Sequence, residues 1–239
     1  MNRSATSTSD WSGQIAFAPM ITLFNGGGGT TSWHQSVSHK VVIAASTTRP
    51  DDNSQNNRMP TVIPANVRHQ LKLSGRKTVM AFLDARHYSL KEAHVLAERW
   101  STMNPGAAYI DSLREDIADI APRVLEKRIT KALNALEITA TIEEAAGNTG
   151  LSVSRFTHLI SDALGAPPQT WRIWLRIRQG IDYIADGQDV TTAASNAGFA
   201  DASHFSRSCV AHLGIRPSAF QNDSNSFIRS SENCESVLA

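Results

Sequence analysis

The chain has 239 residues, a length that suits one large domain or two small ones. Hydrophobic residues make up 41% and charged residues 19%, which favours a packed core over wholesale disorder. The formal net charge is only +1, so any binding to nucleic acid must rely on a few placed groups rather than a broad positive field. No apolar run reaches the roughly 18 residues that span a bilayer, and two cysteines make a poor disulfide framework. We therefore expect a cytoplasmic protein without a membrane partner.

The amino-terminal part is typical of a small β domain. Residues 1–10 are rich in serine and threonine and are predicted to be a disordered tail, and residues 11–88 alternate short apolar runs with turn residues. The four glycines at 26–29 and the polar stretch at 51–58 are predicted to be loops. Strands are predicted at 41–43, 61–63, 67–73 and 78–83. This pattern indicates a β-sandwich or a small barrel.

The pattern changes to helices at Ser89. The sequence Ser-Leu-Lys-Glu is typical of a capping box, in which Ser89 caps a helix and Glu92 reaches back to it. Two linking helices are predicted within residues 89–121, one at 89–103 and the other at 108–120. Their predicted apolar faces consist of Leu90, Ala93, Leu96, Ala97 and Trp100 and of Ile110, Leu113, Ile117 and Ile120.

The helical region that follows contains an internal repeat. Residues 142–151 recur as 190–199, and residues 154–168 recur as 203–217. Each unit has a short amphipathic helix, a glycine turn, a polar cap and a second helix with apolar residues spaced four apart. That order is typical of a helix-turn-helix, which places its second helix in the major groove of DNA. Either unit alone is also compatible with two packed helices that touch no DNA, but two matching copies favour DNA binding.

Between the repeats, residues 169–185 are predicted to form a connecting helix about 25 Å long, at about 1.5 Å per residue. A helix of this length could hold the two second helices, here called the reading helices, about 34 Å apart, which is one turn of DNA.

The exposed faces of the reading helices carry side chains suited to DNA contacts. Arg207 could pair with the O6 and N7 atoms of guanine, and Ala202 suits the methyl group of thymine. Serine and threonine hydroxyls can donate to base edges or phosphates, and Arg172 on the connecting helix is a candidate phosphate contact. The alternative for each residue is an ordinary solvated helix face. The predicted DNA-binding residues are Ser154, Arg155, Thr157, His158, Arg172, Ala202, Ser203, His204 and Arg207.

Residues 190–217 resemble the signature of AraC/XylS transcription regulators. The residues that match it are Gly198, Phe199, Asp201, Ser203, Phe205, Arg207, Gly214 and Pro217. The resemblance covers about 123–221 and implies a tandem helix-turn-helix domain whose reading helices face the major groove. Three positions depart from the family pattern: Cys209 replaces phenylalanine, Gly180 replaces alanine and Gln221 replaces arginine. Glycine within the connecting helix is expected to weaken it by about 1 kcal/mol relative to alanine.

The resemblance also implies an α+β fold, with a cupin-like amino-terminal β-barrel or sandwich that senses a ligand or mediates dimerisation. Residues 31–43 and 62–71 are similar to histidine-bearing segments of such domains, so the candidate ligand-binding residues are His34, His39, His69 and Arg68. The usual metal-binding spacing of cupins is missing, and residues five apart face opposite sides of a strand. We therefore expect no metal and no cofactor, and interpret these residues as lining a pocket or the surface.

The sequence thus predicts domains at 11–88 and 123–221, joined by linking helices at 89–121 and followed by a disordered tail at 222–239. The expected partners are double-stranded DNA, RNA polymerase, a small-molecule effector and a second copy of the chain. Nucleophile-elbow, zinc-protease and CxxC motifs are absent from the sequence, so an enzyme is not expected. Two alternatives stay open: a constitutive regulator without a ligand, and a metal-dependent cupin enzyme with an appended helical domain.

Overall fold

The computed structural model describes residues 11–18, 20–44, 60–103, 110–139, 141–221 and 225–229. The strands are β1 Ser12–Ala18, β2 Ile21–Thr30, β3 Ser38–Ala44, β4 Thr61–Ile63, β5 Lys72–Asp84 and β6 Asn225–Arg229. The helices are α1 Leu90–Arg99, α2 Ile110–Ala118, α3 Lys127–Ile138, α4 Ile142–Thr149, α5 Val153–Leu164, α6 Pro168–Ala185, α7 Val190–Asn196 and α8 Ala202–Leu213. A 3-10 helix follows at Pro217–Gln221. The expected α+β class is confirmed.

The described strands form one sheet in the order β4-β3-β5-β2-β1-β6. Neighbouring strands are antiparallel, except that β6 runs parallel to β1. Adjacent residues of a strand point to opposite faces, so Leu23 and Val79 pack with α1 and α2, whereas Phe24 and Met80 pack with α6 and α8. Helices therefore cover both faces of this sheet, and the carboxy-terminal helices share a core with the amino-terminal strands.

The four glycines at 26–29 lie within β2, so their prediction as a loop was wrong. Gly26 pairs with Gly13 of β1, and a Cβ at Gly26 would lie 2.1 Å from the Ser12 carbonyl oxygen. Glycine is required here because the two backbones approach too closely for a side chain, a use of glycine that local sequence does not distinguish from a turn. The strand predicted at 67–73 also begins later than expected, because β5 starts at Lys72.

Part of the tail predicted to be disordered is a strand. Residues Asn225–Arg229 of β6 pair with β1 from Gly13 to Phe17, which corrects the prediction for these five positions. A polar segment can form an edge strand because its backbone hydrogen bonds are supplied by the neighbouring strand. The predicted disordered residues 1–10, the rest of the tail at 222–224 and 230–239, and the polar loop at 51–58 lie outside the described residues.

The linking helices are close to their predictions. Ser89 and Glu92 form the expected capping box, and the predicted apolar faces are buried except at Leu90, which is exposed. Trp100 is fully buried and its indole Nε1 donates to Asp116 Oδ2 over 2.7 Å, which ties α1 to α2. No helix in the described part of the chain is long and apolar enough to cross a membrane.

Gly180 was expected only to weaken the connecting helix, but the structure shows that it has a packing role. A Cβ at this position would lie 2.6 Å from Cζ of Phe205, which packs its ring directly on the α6 backbone. The glycine makes room for the core of the second repeat, so its cost in helix propensity is offset by close packing.

Replacing Gly180 with alanine is expected to destabilise the protein by about 1–3 kcal/mol, because the added methyl overpacks the contact with Phe205. Equilibrium urea unfolding measures this change. The control is Gly147→Ala in α4, where a Cβ meets nothing within 4 Å, and which should raise helix stability by up to about 1 kcal/mol. A stabilised Gly180→Ala protein would contradict the packing argument.

Candidate nucleic-acid interface

Two similar units form the carboxy-terminal half. In the first, α4 ends at Gly150 with φ of 73° and Ser152 caps α5 by accepting from the Arg155 amide. In the second, the turn contains Gly198 with φ of 75° and Asp201 caps α8 by accepting from the His204 amide. Left-handed glycines let the chain turn tightly between two helices, so each unit has the helix-turn-helix geometry expected from the repeat.

The reading helix α5 is amphipathic. Phe156, Ile160 and Leu164 are buried against α3, α4 and α6. The opposite face carries the predicted DNA contacts, of which Ser154, Arg155 and His158 are exposed and Thr157 is partly exposed.

The reading helix α8 presents the equivalent face. Ser203 and Arg207 are exposed, while Ala202 and His204 are half-buried. The His204 ring stands edge-on to Phe199 at a centroid distance of 5.2 Å, so this side chain also packs on its own turn. An open groove of about 620 Å³ runs along the helix beside Arg207 and ends near Arg216. Arg216 was missed by the sequence analysis because it follows the helix rather than lying on its face.

The connecting helix α6 places Arg172 and Arg176 one helical turn apart in a second groove of about 270 Å³, between the two units. Burial lowers the pKa of Arg172, and the neighbouring charge of Arg176 lowers it further. An anion in this groove would relieve the repulsion between the two guanidinium groups.

The predicted ligand residues are only partly brought together. His34 and His69 face each other at a centroid distance of 4.1 Å, joined by a bridge between their backbones. His39 instead accepts a hydrogen bond from the Ala65 amide over 3.0 Å. Arg68 is exposed and stacks over the ring of Trp33 at 5.8 Å. No cluster of three or more metal-ligating side chains occurs within the described residues.

Lys40 is the residue that the sequence analysis missed at this site. Its ammonium group lies 2.6 Å from Nε2 of His34 and 2.9 Å from Nε2 of His69. Each histidine directs its Nδ1 at a backbone carbonyl, of Ser32 or Val67, which can only accept. Both rings are therefore neutral with the proton on Nδ1, and their Nε2 atoms accept from Lys40.

Burial determines the protonation of this cluster. It lowers the pKa of Lys40 to about 7, and burial together with the Lys40 charge lowers the pKa of His34 to about 3. The available signal was the position of Lys40 directly before the apolar residues Val41, Val42 and Ile43 of one strand.

An apolar cavity of about 70 Å³ lies between the sheet and the carboxy-terminal helices, next to Lys40. Its walls come from both parts of the chain, including Phe24 and Met80 of the sheet and Trp174 of α6. Trp174 is buried, and its indole nitrogen has no hydrogen-bond partner among the described residues. The cavity thus joins apolar walls to a buried cation.

A buried ionic network links the same two parts of the chain. Asp84, at the end of β5, accepts hydrogen bonds from the backbone amide, Nε and Nη2 of Arg86 and lies 3.4 Å from Arg178 of α6. Burial by itself raises the pKa of Asp84, but the charges and hydrogen bonds of Arg86 and the charge of Arg178 outweigh it, so the net shift is downward. Arg86 also pairs with Glu137 at the end of α3. Arg178 therefore has a structural role in the connecting helix, because it ties α6 to the end of β5.

Comparison with known proteins agrees with the geometry of the helical half. A family described as a helix-turn-helix domain matches residues 145–223. The bifunctional transcriptional activator/DNA repair enzyme Ada of Escherichia coli (strain K12) is 31% identical over 97 residues, which cover 40% of this chain and 27% of Ada. The chain thus matches about a quarter of the length of that relative.

Solved structures of ToxT from Vibrio cholerae strain SCE256 are similar at 13% identity. An apo variant has a TM-score of 0.47 and covers 84% of this chain and 96% of its own. The wild-type protein bound to an unsaturated fatty acid has a TM-score of 0.44 and covers 87% of this chain and 96% of its own.

The helix-turn-helix match at residues 145–223 falls on the duplicated unit that the sequence analysis identified. Residues 145–223 therefore match a helix-turn-helix domain, which agrees with the resemblance to AraC/XylS regulators found in the sequence.

Proposed function

We propose that the protein is a transcription regulator that binds double-stranded DNA in a sequence-specific way through α5 and α8. The supporting observation is that two equivalent capped helices each expose a polar, hydrogen-bonding face beside a buried apolar one. RNA polymerase and a second copy of the chain remain predicted partners, and the cytoplasm remains the predicted location.

The proposed roles follow from side-chain chemistry. Arg207 reads guanine through its planar guanidinium, and Ser154, Ser203 and Thr157 donate to bases or phosphates. Arg155 and His158 extend the same face of α5, and Ala202 and His204 that of α8. Two reading helices on one side of a duplex would contact successive major grooves.

Selection of bound sequences from a random DNA pool, followed by footprinting, tests the proposal. We expect protection of two segments centred about one helical turn apart, 10–10.5 base pairs. A bound pool that shows no common sequence, or protection without two separated segments, would contradict it.

Replacing Arg172 with alanine is expected to weaken binding about equally on all DNA sequences and to lower the slope of log affinity against log salt by about one. The reason is that the variant makes one phosphate contact fewer, so its binding releases one counterion fewer from the DNA. Affinity titrations at several salt concentrations measure the slope. Arg114→Ala in α2, on the opposite face of the sheet, is the control; an unaltered slope in Arg172→Ala would count against the phosphate contact.

We further propose that the regulator responds to a small effector held beside Lys40 in the cavity between the sheet and α6. Apolar walls with two buried basic side chains, Lys40 and Arg178, suit a short apolar molecule that ends in a carboxylate. Such an anion would accept from Lys40 and compete with His34 and His69 for its protons. Of the four predicted ligand residues, His34 and His69 contact Lys40, whereas His39 accepts from the Ala65 amide and Arg68 stacks over Trp33. The described lining of the cavity includes none of these four.

Calorimetric titration with butanoate, hexanoate and octanoate, each beside the alcohol of equal length, tests this effector site. We expect saturable binding of a carboxylate, weaker binding of its alcohol, and loss of the difference in Lys40→Met. Unchanged DNA binding in the presence of every probe, with no heat of binding, would favour the alternative of a constitutive regulator.

A further inference from the structure

The carboxyl ends of the two reading helices touch the amino-terminal domain at equivalent points. Helix α5 ends at Gly165 with φ of 70°, and α8 ends at Gly214 with φ of 78°. These glycines are 49 positions apart, the same offset that relates the two repeats from Ser154 onward. The repeat therefore extends to the contact between domains as well as to the reading faces.

The segment 31–36 holds the end of α8. The amide of Ser32 donates to the Gly214 carbonyl over 2.7 Å, and the amide of Gln35 donates to the Ala211 carbonyl over 3.0 Å. A Cβ at Gly214 would lie 2.6 Å from Nδ1 of His34. The approach is so close that only glycine fits at this position.

The segment 64–69 meets the end of α5. The Asn66 side chain donates to the Leu164 carbonyl over 3.5 Å, and a Cβ at Gly165 would lie 3.1 Å from the same Asn66 nitrogen. Asn66 has a φ of 65°, which is unusual for a residue other than glycine. The loop is thus held in a conformation that directs this side chain toward the helix.

The two segments are tied to each other. His34 and His69 exchange backbone hydrogen bonds of 2.9 Å, and the Asn66 amide donates to the Ser36 carbonyl over 2.7 Å. Lys40 lies beneath them and donates to both histidine rings. Segments 31–36 and 64–69 therefore form one unit, here called the bracket.

We infer that the bracket fixes the position of α5 relative to α8 and so makes the protein selective for the spacing between its two DNA half-sites. The inference rests on the proposed function, because it concerns how the same two helices meet DNA. Without the bracket, the two units are joined mainly through α6, a continuous helix that contains a glycine at position 180. With it, each reading helix is held at a second point by the same pair of loops.

The number of base pairs between the two DNA half-sites is a sensitive measure of this restraint. Each added base pair moves one half-site about 3.4 Å along the duplex and rotates it by about 35°. Two helices held at both points cannot follow such a change, and the contacts of one half-site are lost.

The experiment uses the full chain and a DNA sequence selected by the wild-type protein from a random pool, with zero, one or two base pairs inserted or removed between the half-sites. We expect wild-type affinity to fall at least about tenfold at the first insertion, as for a mismatched site. Gly214→Ala, which forces the bracket off α8, should bind the altered spacings to within about threefold of the original.

Gly187→Ala is the matched control. Gly187 has a φ of 85°, so alanine suffers the same left-handed strain, but its Cβ would meet nothing within 4 Å. This variant should keep the wild-type spacing profile. Asn66→Gly is the second variant: it tolerates the positive φ, removes the contact with α5, and decides the outcome if Gly214→Ala does not fold.

A spacing profile in Asn66→Gly and in folded Gly214→Ala as narrow as that of the wild type would overturn the inference, as would equal broadening in Gly187→Ala. A wild-type protein that selects no DNA sequence would instead contradict the proposed function. A wild-type protein that selects a sequence but tolerates every spacing contradicts the bracket alone.

Discussion

Replacing Asp84 with alanine is expected to lower the free energy of unfolding by about 3–5 kcal/mol, because it removes the buried carboxylate that Arg86 and Arg178 share in the interface between the sheet and α6. Asp84 is almost fully buried and Arg86 nearly so. Arg86 keeps only the half-exposed Glu137 as a carboxylate partner. Equilibrium urea unfolding at neutral pH, followed by circular dichroism, measures the change.

The neighbouring carboxylate provides the control. Glu137 pairs with the same Arg86, but its side chain is 44% exposed, so Glu137→Ala should cost no more than about 1 kcal/mol. The double variant Asp84→Ala with Arg178→Met should recover part of the loss, since it removes one of the two buried positive charges that faced Asp84. Equal effects of Asp84→Ala and Glu137→Ala would show that burial does not govern this network.

Replacing Arg207 with alanine is expected to weaken binding to the selected DNA by about 1–3 kcal/mol and to relax preference at one base pair. The reason is that a guanidinium donates two hydrogen bonds to guanine in fixed geometry, and no other residue on α8 offers that pair. Affinity titrations on the selected sequence and on its single-base variants measure both effects.

Two further variants separate base reading from charge. Arg207→Lys keeps the positive charge but loses the planar pair of donors, so it should recover affinity on all sequences without recovering the base preference. Arg114→Ala on α2 should leave both unchanged. Uniform weakening by Arg207→Ala across all single-base variants would reassign this residue to the phosphate backbone.

Much of the helical half could be predicted because its determinants are local. The capping box at Ser89 and the caps at Ser152 and Asp201 depend on residues within three positions of one another. Apolar spacing identified the buried faces of α5 and α8, and the repeat showed that the two units share one structure. Exposure of Arg155 and Arg207 follows from the same periodicity.

The amino-terminal half was predicted less well because its pairing partners are far apart in the chain. The run of glycines in β2 is typical of a loop, and only the pairing of Gly26 with Gly13 shows that it is a strand. The strand β6 depends on pairing with β1, which lies more than 200 residues earlier. Two of the three candidate histidines meet, but only through a bridge between residues 34 and 69. Neither pairing leaves a periodic trace in the sequence.

The sequence by itself determined the α+β class, the tandem helix-turn-helix and the residues that face outward from it, because helix periodicity, caps and repeats act over a few residues. Only the tertiary structure decided that Lys40 lies between two neutral histidines, that Asp84 joins the sheet to α6, and that one pair of loops contacts both reading helices. These features bring together residues from distant parts of the chain. Burial lowers the pKa of Lys40, and that environment exists only after the sheet and the helices have packed.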